Sequence, residues 1–189
     1  TRLADKPTAH TGYFLGAAEV DGRIYVTGGN PVNNYSSCEE YSPHTNSWRI
    51  CADMPEGRVW AATVAANGKV YVLGDTATLS NTNMEYDPQT NNWSFRAPMF
   101  TSRRFLVAAV VDGKIHAIGG RDYSSNYLDT HTVYDPTTDS WEYRAALPHI
   151  RTDASGFGAA TVEGKIYVVG GRHSRTDGNM ASVDIYDPA

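Results

Sequence analysis

The chain has 189 residues, a length that suits about one domain and is ample to bury a core. Its 16 Lys and Arg stand against 21 Asp and Glu, a formal charge of −5 with no basic block, which argues against tracking a phosphate backbone. The longest apolar run, Phe105 to Val111, is far short of the roughly 20 residues that a membrane-spanning helix needs.

Composition points instead to short strands and tight turns, with 17 glycines, 12 tyrosines and 9 prolines. The sequence begins at Thr1 without a basic-then-apolar leader, so no targeting segment is read, and a cytoplasmic setting is the expectation. Two cysteines, Cys38 and Cys51, are too few for a disulfide scaffold and are expected as reduced, partly buried thiols. A register that pairs Tyr41 with Trp48 would also set Cys38 opposite Cys51, with Cβ atoms about 4.5–5.5 Å apart.

One order of residues recurs along the chain: a small apolar run, a turn glycine, an alternating strand ending in glycine, a polar stretch, a tyrosine strand, a turn and a tryptophan. Residues 1–7 read as a lone last strand, because Pro7 holds the place that Pro55, Phe100 and Pro148 hold after the later tryptophans. The first repeat, about 8–54, carries GAAEVDGRIYVTGG and EEYSPHTNSW. The second, about 55–99, carries AATVAANGKVYVLGD and MEYDPQTNNW. The third, about 100–147, carries VAAVVDGKIHAIGG and VYDPTTDSW; the fourth, about 148–189, carries GAATVEGKIYVVGG and stops at DIYDPA. The turn glycines Gly22, Gly68, Gly113 and Gly164 recur at intervals of about 45–50 residues, a period typical of repeat folds.

Each repeat reads as four strands, a to d. Asn67-Gly68 and Asp112-Gly113 tolerate the positive φ of a two-residue hairpin between a and b. Strand b alternates, with Ile24 and Val26 on one side and Arg23 and Tyr25 on the other. Strand c carries the tyrosine, and Asp-Pro at 87–88, 135–136 and 187–188 turns it into strand d. Four-stranded antiparallel sheets repeated at this period, without helices between them, are the blades of an all-β propeller. Glycine closing strand b suits a point where sheets converge, and Tyr and Trp are expected to fill the space between blades.

Gly28-Gly29, Gly119-Gly120 and Gly170-Gly171 after strand b, Tyr-Asp-Pro in strand c and Trp93 or Trp141 in strand d resemble the Kelch repeat. The resemblance covers essentially the whole chain. It departs at Gly74-Asp75, which replaces the glycine pair, and at Ser42, which replaces Asp. The implied fold is a Kelch-type β-propeller with four four-stranded antiparallel blades in one domain over 1–189. Two arrangements fit. In a closed four-blade ring, residues 1–7 supply strand d of the last blade; alternatively, the chain is part of a larger ring. Members of the family usually have more than four blades, which favours the larger ring, whereas the cost of open sheet edges favours closure.

Loops on a rigid scaffold carry function. Three residues beyond the Pro or Phe anchor, the d–a connections present His10, Arg58, Arg103 and Arg151 at one structural position. The resemblance implies that arginines here lie on the partner-binding face beside the b–c loops. Those loops contribute Asn33 and Tyr35 in the first repeat, Arg121, Tyr123 and Tyr127 in the third, and Arg172, His173 and Arg175 in the fourth. Tyr, Asn and Arg suit interface centres, and local arginines on an acidic chain suit an acidic peptide. The expected function is a protein-interaction module of the substrate-adaptor or scaffold kind, with a protein or peptide partner, neither nucleic acid nor membrane, and self-association through open blade edges as a further mode.

Enzyme signals are thin. The six histidines show no His-x-x-x-His spacing, and neither a Gly-x-Ser-x-Gly elbow nor a phosphate loop occurs, so no catalytic residue, metal or cofactor is expected. His116 occupies the strand b position of Tyr25, Tyr71 and Tyr167 and reads as a packing substitute. The alternative is a sugar-acid epimerase or mutarotase, with Arg58, Arg103 and Arg151 gripping a carboxylate and His10 or His173 as acid or base.

Overall fold

The computed structural model describes residues 2–8, 15–29, 35–74, 81–150, 152–172, 178 and 180–188, with the backbone alone described for 152–157. Fifteen strands form four antiparallel sheets in chain order. The first blade holds β1 (Gly16–Val20), β2 (Arg23–Thr27), β3 (Cys38–Ser42) and β4 (Ser47–Ile50). The second holds β5 (Ala62–Ala66), β6 (Lys69–Leu73), β7 (Asn83–Asp87) and β8 (Asn92–Arg96). The third holds β9 (Val107–Val111), β10 (Lys114–Ile118), β11 (His131–Asp135) and β12 (Ser140–Tyr143). The fourth holds β13 (Thr152–Val162), β14 (Lys165–Arg172) and β15 (Val183–Tyr186), so three of its strands fall among the described residues. Every sheet is a simple meander, and the first strand of each blade packs on the first strand of the next. Blades arranged in this way form a β-propeller.

Local sequence explains the turns. Asp21, Asn67, Asp112 and Glu163 all have φ near +50°, each followed by a glycine with φ near +74°, the conformation of a tight hairpin. The c–d turns place Asn46, Asn91 and Asp139 at positive φ, which their short polar side chains tolerate. The expected register is present: Tyr41 faces Trp48, Tyr86 faces Trp93 and Tyr134 faces Trp141. In the same register Cys51 N–H donates to the Cys38 carbonyl at 2.9 Å, and both thiols are buried and unbridged.

The c strands β3, β7 and β11 are buried almost throughout. Tyrosines bridge the gaps between blades. Tyr25 meets Tyr86 at 5.7 Å between ring centres, Tyr71 meets Tyr134 at 5.9 Å, and His116 meets Tyr186 at 5.6 Å. His116 therefore fills the tyrosine slot, 3% exposed, with its Nδ1 2.9 Å from Nε2 of His131. The tryptophans reach in the opposite direction, as Trp93 Nε1–H donates to the Ala52 carbonyl at 2.8 Å and Trp141 Nε1–H to that of Ala97 at 2.7 Å.

The N-terminal segment occupies the same station against the first blade. Trp48 Nε1–H donates to the Ala4 carbonyl at 3.0 Å, and Ala4 N–H donates to Asn46 Oδ1 at 2.8 Å. Residues 2–6 lie there in an extended, non-strand conformation, and Lys6 pairs with buried Glu39.

Candidate functional site

In a four-stranded meander the a–b and c–d turns fall at one end of the sheet, and the b–c and d–a connections at the other. The second end is where the longer loops converge. Glycine at the end of strand b seats the d–a loop there. Gly74 has φ +83°, and a Cβ on it would lie 2.5 Å from the Arg103 carbonyl oxygen; on Gly120 (φ +99°) it would lie 2.7 Å from that of Arg104. Any larger residue would combine backbone strain with a clash.

Because the backbone is held so close, Arg58 and Arg103 point inward. Arg58 is 2% exposed and donates to Glu56, the Gly57 carbonyl and Thr82. Arg103 is 1% exposed and donates to Thr132 Oγ1 at 2.6 Å and the Thr130 carbonyl at 3.1 Å. Burial pushes the Arg103 pKa down to about 10. The expectation that Arg58 and Arg103 line an exposed binding face is thereby corrected. They lie buried beneath that face and donate to carbonyl and hydroxyl acceptors, with Arg58 also paired with Glu56.

A different pair of cations holds the surface. Arg104 and Arg121 pair through their backbones, Arg104 N–H to the Arg121 carbonyl at 3.0 Å and the reverse at 2.8 Å. The Arg104 guanidinium carbon stands 5.5 Å from the ring centres of both Trp60 and Phe105, whose own centres are 4.9 Å apart. That of Arg121 stands 4.9 Å above Tyr127. Cation–π stacking holds each guanidinium against an aromatic side chain. Neither arginine has a carboxylate partner among the described residues, and the Nε atoms of both are buried without a hydrogen-bond acceptor.

The b–c loop of the third blade shapes one wall. Asp122 N–H donates to the Asn126 carbonyl, Ser125 N–H to that of Asp122, and the Asp122 carboxylate accepts from Asn126 backbone and side chain at 2.8 Å. This closed loop holds Tyr123 out, 72% exposed, with Tyr127 half-buried behind it. Tyr35 is half-buried at φ +63°, and its carbonyl accepts from Arg58 N–H at 3.0 Å. Arg172 is half-buried at the end of β14 opposite Thr152, the position that Arg121 holds in the third blade. His10, Asn33, Arg151, His173 and Arg175 lie outside the described residues.

Sequence reading thus named Arg121, Tyr123 and Tyr127 of this cluster and missed Arg104, Trp60 and Phe105. A signal was available: Trp60 follows Arg58 by the same interval as Phe105 follows Arg103. Both have positive φ, 61° and 55°, and Phe105 N–H donates to the Trp60 carbonyl at 3.0 Å. Among the described residues, no three His, Cys, Asp or Glu side chains converge as metal ligands would.

The four meander blades make this protein a β-propeller, with its polar and aromatic loop face at one end of the sheets. The Kelch motif matches residues 12–55, 102–148 and 153–189, more than half of the chain, and the chain belongs to the Kelch-repeat family. The stretch between the first two matches folds as the second blade, where Gly74-Asp75 departs from the glycine pair. An F-box/kelch-repeat protein of Arabidopsis thaliana is 36% identical over 88 residues, covering 44% of this chain and 23% of that protein. Beta-scruin of Limulus polyphemus is 33% identical over 84 residues, covering 43% and 9%. The alignments thus span less than a quarter of either relative. The solved structure of YjhT superposes with a TM-score of 0.79 at 16% identity, over 99% of this chain and 67% of that one, a likeness of fold. Kelch membership and these relatives point to a protein-interaction propeller.

Proposed function

We propose that the chain binds an extended acidic segment of a partner protein on its b–c and d–a loop face, as a cytoplasmic adaptor or scaffold would. The reading rests on Arg104 and Arg121, two stacked guanidiniums without a carboxylate partner among the described residues. A carboxylate docking on them forms charge-assisted, potentially bidentate hydrogen bonds. Trp60, Phe105 and exposed Tyr123 supply the rigid apolar area that interface centres favour. The test is a peptide array of acidic sequences with charge-reversed controls, followed by fluorescence polarisation on the tightest binder. Arg104→Ala and Arg121→Ala are each expected to weaken binding about tenfold or more, and added salt to weaken it further. Equal binding to acidic and basic arrays, or indifference to both substitutions, would overturn the reading.

A further inference from the structure

At the opposite end of the sheets, two blades bury a carboxylate among cations. In the first, Glu40 is 2% exposed, pairs with Arg23 and Arg49 across the sheet and adjoins Tyr25. In the second, Glu85 accepts from the Tyr71 hydroxyl at 2.6 Å and from Arg96 at 2.7 Å, with Lys69 at 3.8 Å. Burial acts to raise both carboxyls, but hydrogen bonds from these neighbours outweigh it and hold them below the usual range. A buried anion held by this many donors is a satisfied one.

The third blade departs from this pattern on both facing strands, and Glu142 stands across from Val133 on the last strand. Tyr25 faces Glu40 and Tyr71 faces Glu85, but His116 faces Val133. The cations persist, since Lys114 opens β10 as Lys69 opens β6, and Arg144 follows β12 opposite His131 as Arg96 stands opposite Asn83. Lys114 pairs with Asp135 at 3.1 Å and Arg144 with Glu142, both cations more than a third exposed. Between them lies an open recess of about 190 Å³ lined by Asp112, Lys114, His116, Val133 and Arg144, with Pro188 of the fourth blade on its far side. Burial, then the charges of Arg144 and Lys114, pull the His116 pKa down to about 4.

We propose that this recess binds a small oxyanion, a carboxylate or a phosphate group, in the place that Glu40 and Glu85 take in the first two blades. Lys114 and Arg144 would turn donors from the rim toward it, and His116 would donate from the floor once protonated. The charged groups around it are Asp112, Asp135, Glu142, Lys114 and Arg144 of the third blade and Asp187 of the fourth, which pairs with Lys165 at 2.7 Å, with His131 and Tyr186 packed behind. The site stands at the other end of the sheets from the peptide face and does not depend on it.

Acetate and inorganic phosphate are titrated separately into the protein at fixed ionic strength with chloride, reading the His116 ring signals by NMR. Occupancy is expected to raise the His116 pKa by about one unit. Whichever anion produces the shift supports the site and assigns its chemistry. Val133→Glu supplies the missing carboxylate internally and should weaken the response at least about tenfold. Arg144→Gln, an exposed change that leaves packing intact, should do the same even if the glutamate variant folds poorly. Indifference of His116 to both anions, or a full response in Arg144→Gln, would overturn the proposal.

Discussion

The indole Nε1–H of Trp141 donates to the carbonyl of Ala97 at 2.7 Å, joining the third blade to the last strand of the second. Ala97 N–H in turn donates to Asp139 Oδ1, which also accepts from the Tyr134 hydroxyl at 2.6 Å. The same closed circuit links Trp93, Ala52, Asn91 and Tyr86, and again Trp48, Ala4, Asn46 and Tyr41. One turn residue at positive φ thereby fixes its own tyrosine and the neighbouring backbone at once. This latch explains why Tyr, Asn or Asp and Trp recur together.

Trp141→Phe keeps most of the buried ring and deletes the donor, leaving the Ala97 carbonyl short of a partner. Such a loss costs about 1–3 kcal/mol. Urea unfolding of Trp141→Phe and Trp93→Phe should show stability falling by that amount in each. No change in the midpoint would mean that the latches add nothing to blade docking.

Arg103 and Arg121 should separate stability from binding. Arg103→Ala takes the donor from the Thr132 hydroxyl, removes one of the two donors to the Thr130 carbonyl and leaves a cavity in the core, and is expected to cost about 3 kcal/mol or more. Arg121→Ala removes a half-buried guanidinium stacked on Tyr127, and stability should fall by about 1 kcal/mol or less while the acidic peptide is lost. A stable Arg103→Ala that loses the peptide would return Arg103 to the binding face.

The histidine pair makes the fold acid-sensitive. Burial, with like-charge effects from neighbours, lowers both His116 and His131 to about 4 from an unfolded value near 6.5. The unfolded chain therefore binds protons first, and the pair's contribution is complete above about pH 6.5 and lost as pH falls toward 4. In a buffer free of oxyanions other than the minimum needed, the unfolding midpoint should drop over this window. His116→Phe should flatten the drop, because one of the two titrating rings is gone and an aromatic still fills the slot facing Tyr186. An unchanged pH slope in that variant would place the sensitivity elsewhere.

Most of the architecture was legible because each blade repeats its instructions: Asn67-Gly68 turns, Tyr86 facing Trp93 and glycines seating loops are local chemistry that a sequence displays directly. The register that pairs Tyr41 with Trp48 carried Cys38 to Cys51 with it. The site was legible only in part. Arg103 and Arg104 are adjacent, and nothing in a pair of arginines says which one turns inward. The seat of their backbone on Gly74 and Gly120 decides it, a contact between distant segments. The Trp60–Phe105 stack likewise needs two loops from successive blades, a contact that no single repeat displays. The Val133 recess appears only when three blades are compared position by position with the register known.

The thiol pair offers a check on that register in solution. Cys38 is fully buried and Cys51 5% exposed. The hydrogen bond from the Cys38 thiol lowers the Cys51 pKa, aided by Tyr86, while it and burial raise that of Cys38. Burial controls access, so a thiol reagent should label neither cysteine in the native protein and both in denaturant. If labelling is made possible by mild destabilisation, Cys51 should react ahead of Cys38. Rapid native labelling of Cys38 would contradict its place inside β3.

β15 presents an edge whose pairing can be tested in solution. Val183 and Ile185 of β15 are 51% and 58% exposed, and β15 pairs on one side with β14 and on the other with no strand among the described residues. An unpaired edge bearing exposed β-branched residues is a template for another chain. Light scattering on a sizing column should therefore give a mass that rises with concentration above the monomer value of 20.7 kDa. Ile185→Lys puts a charge on the same edge while touching no buried contact, and it should hold the mass at the monomer value. A wild-type protein that stays monomeric at high concentration would mean that this edge does not recruit a second chain.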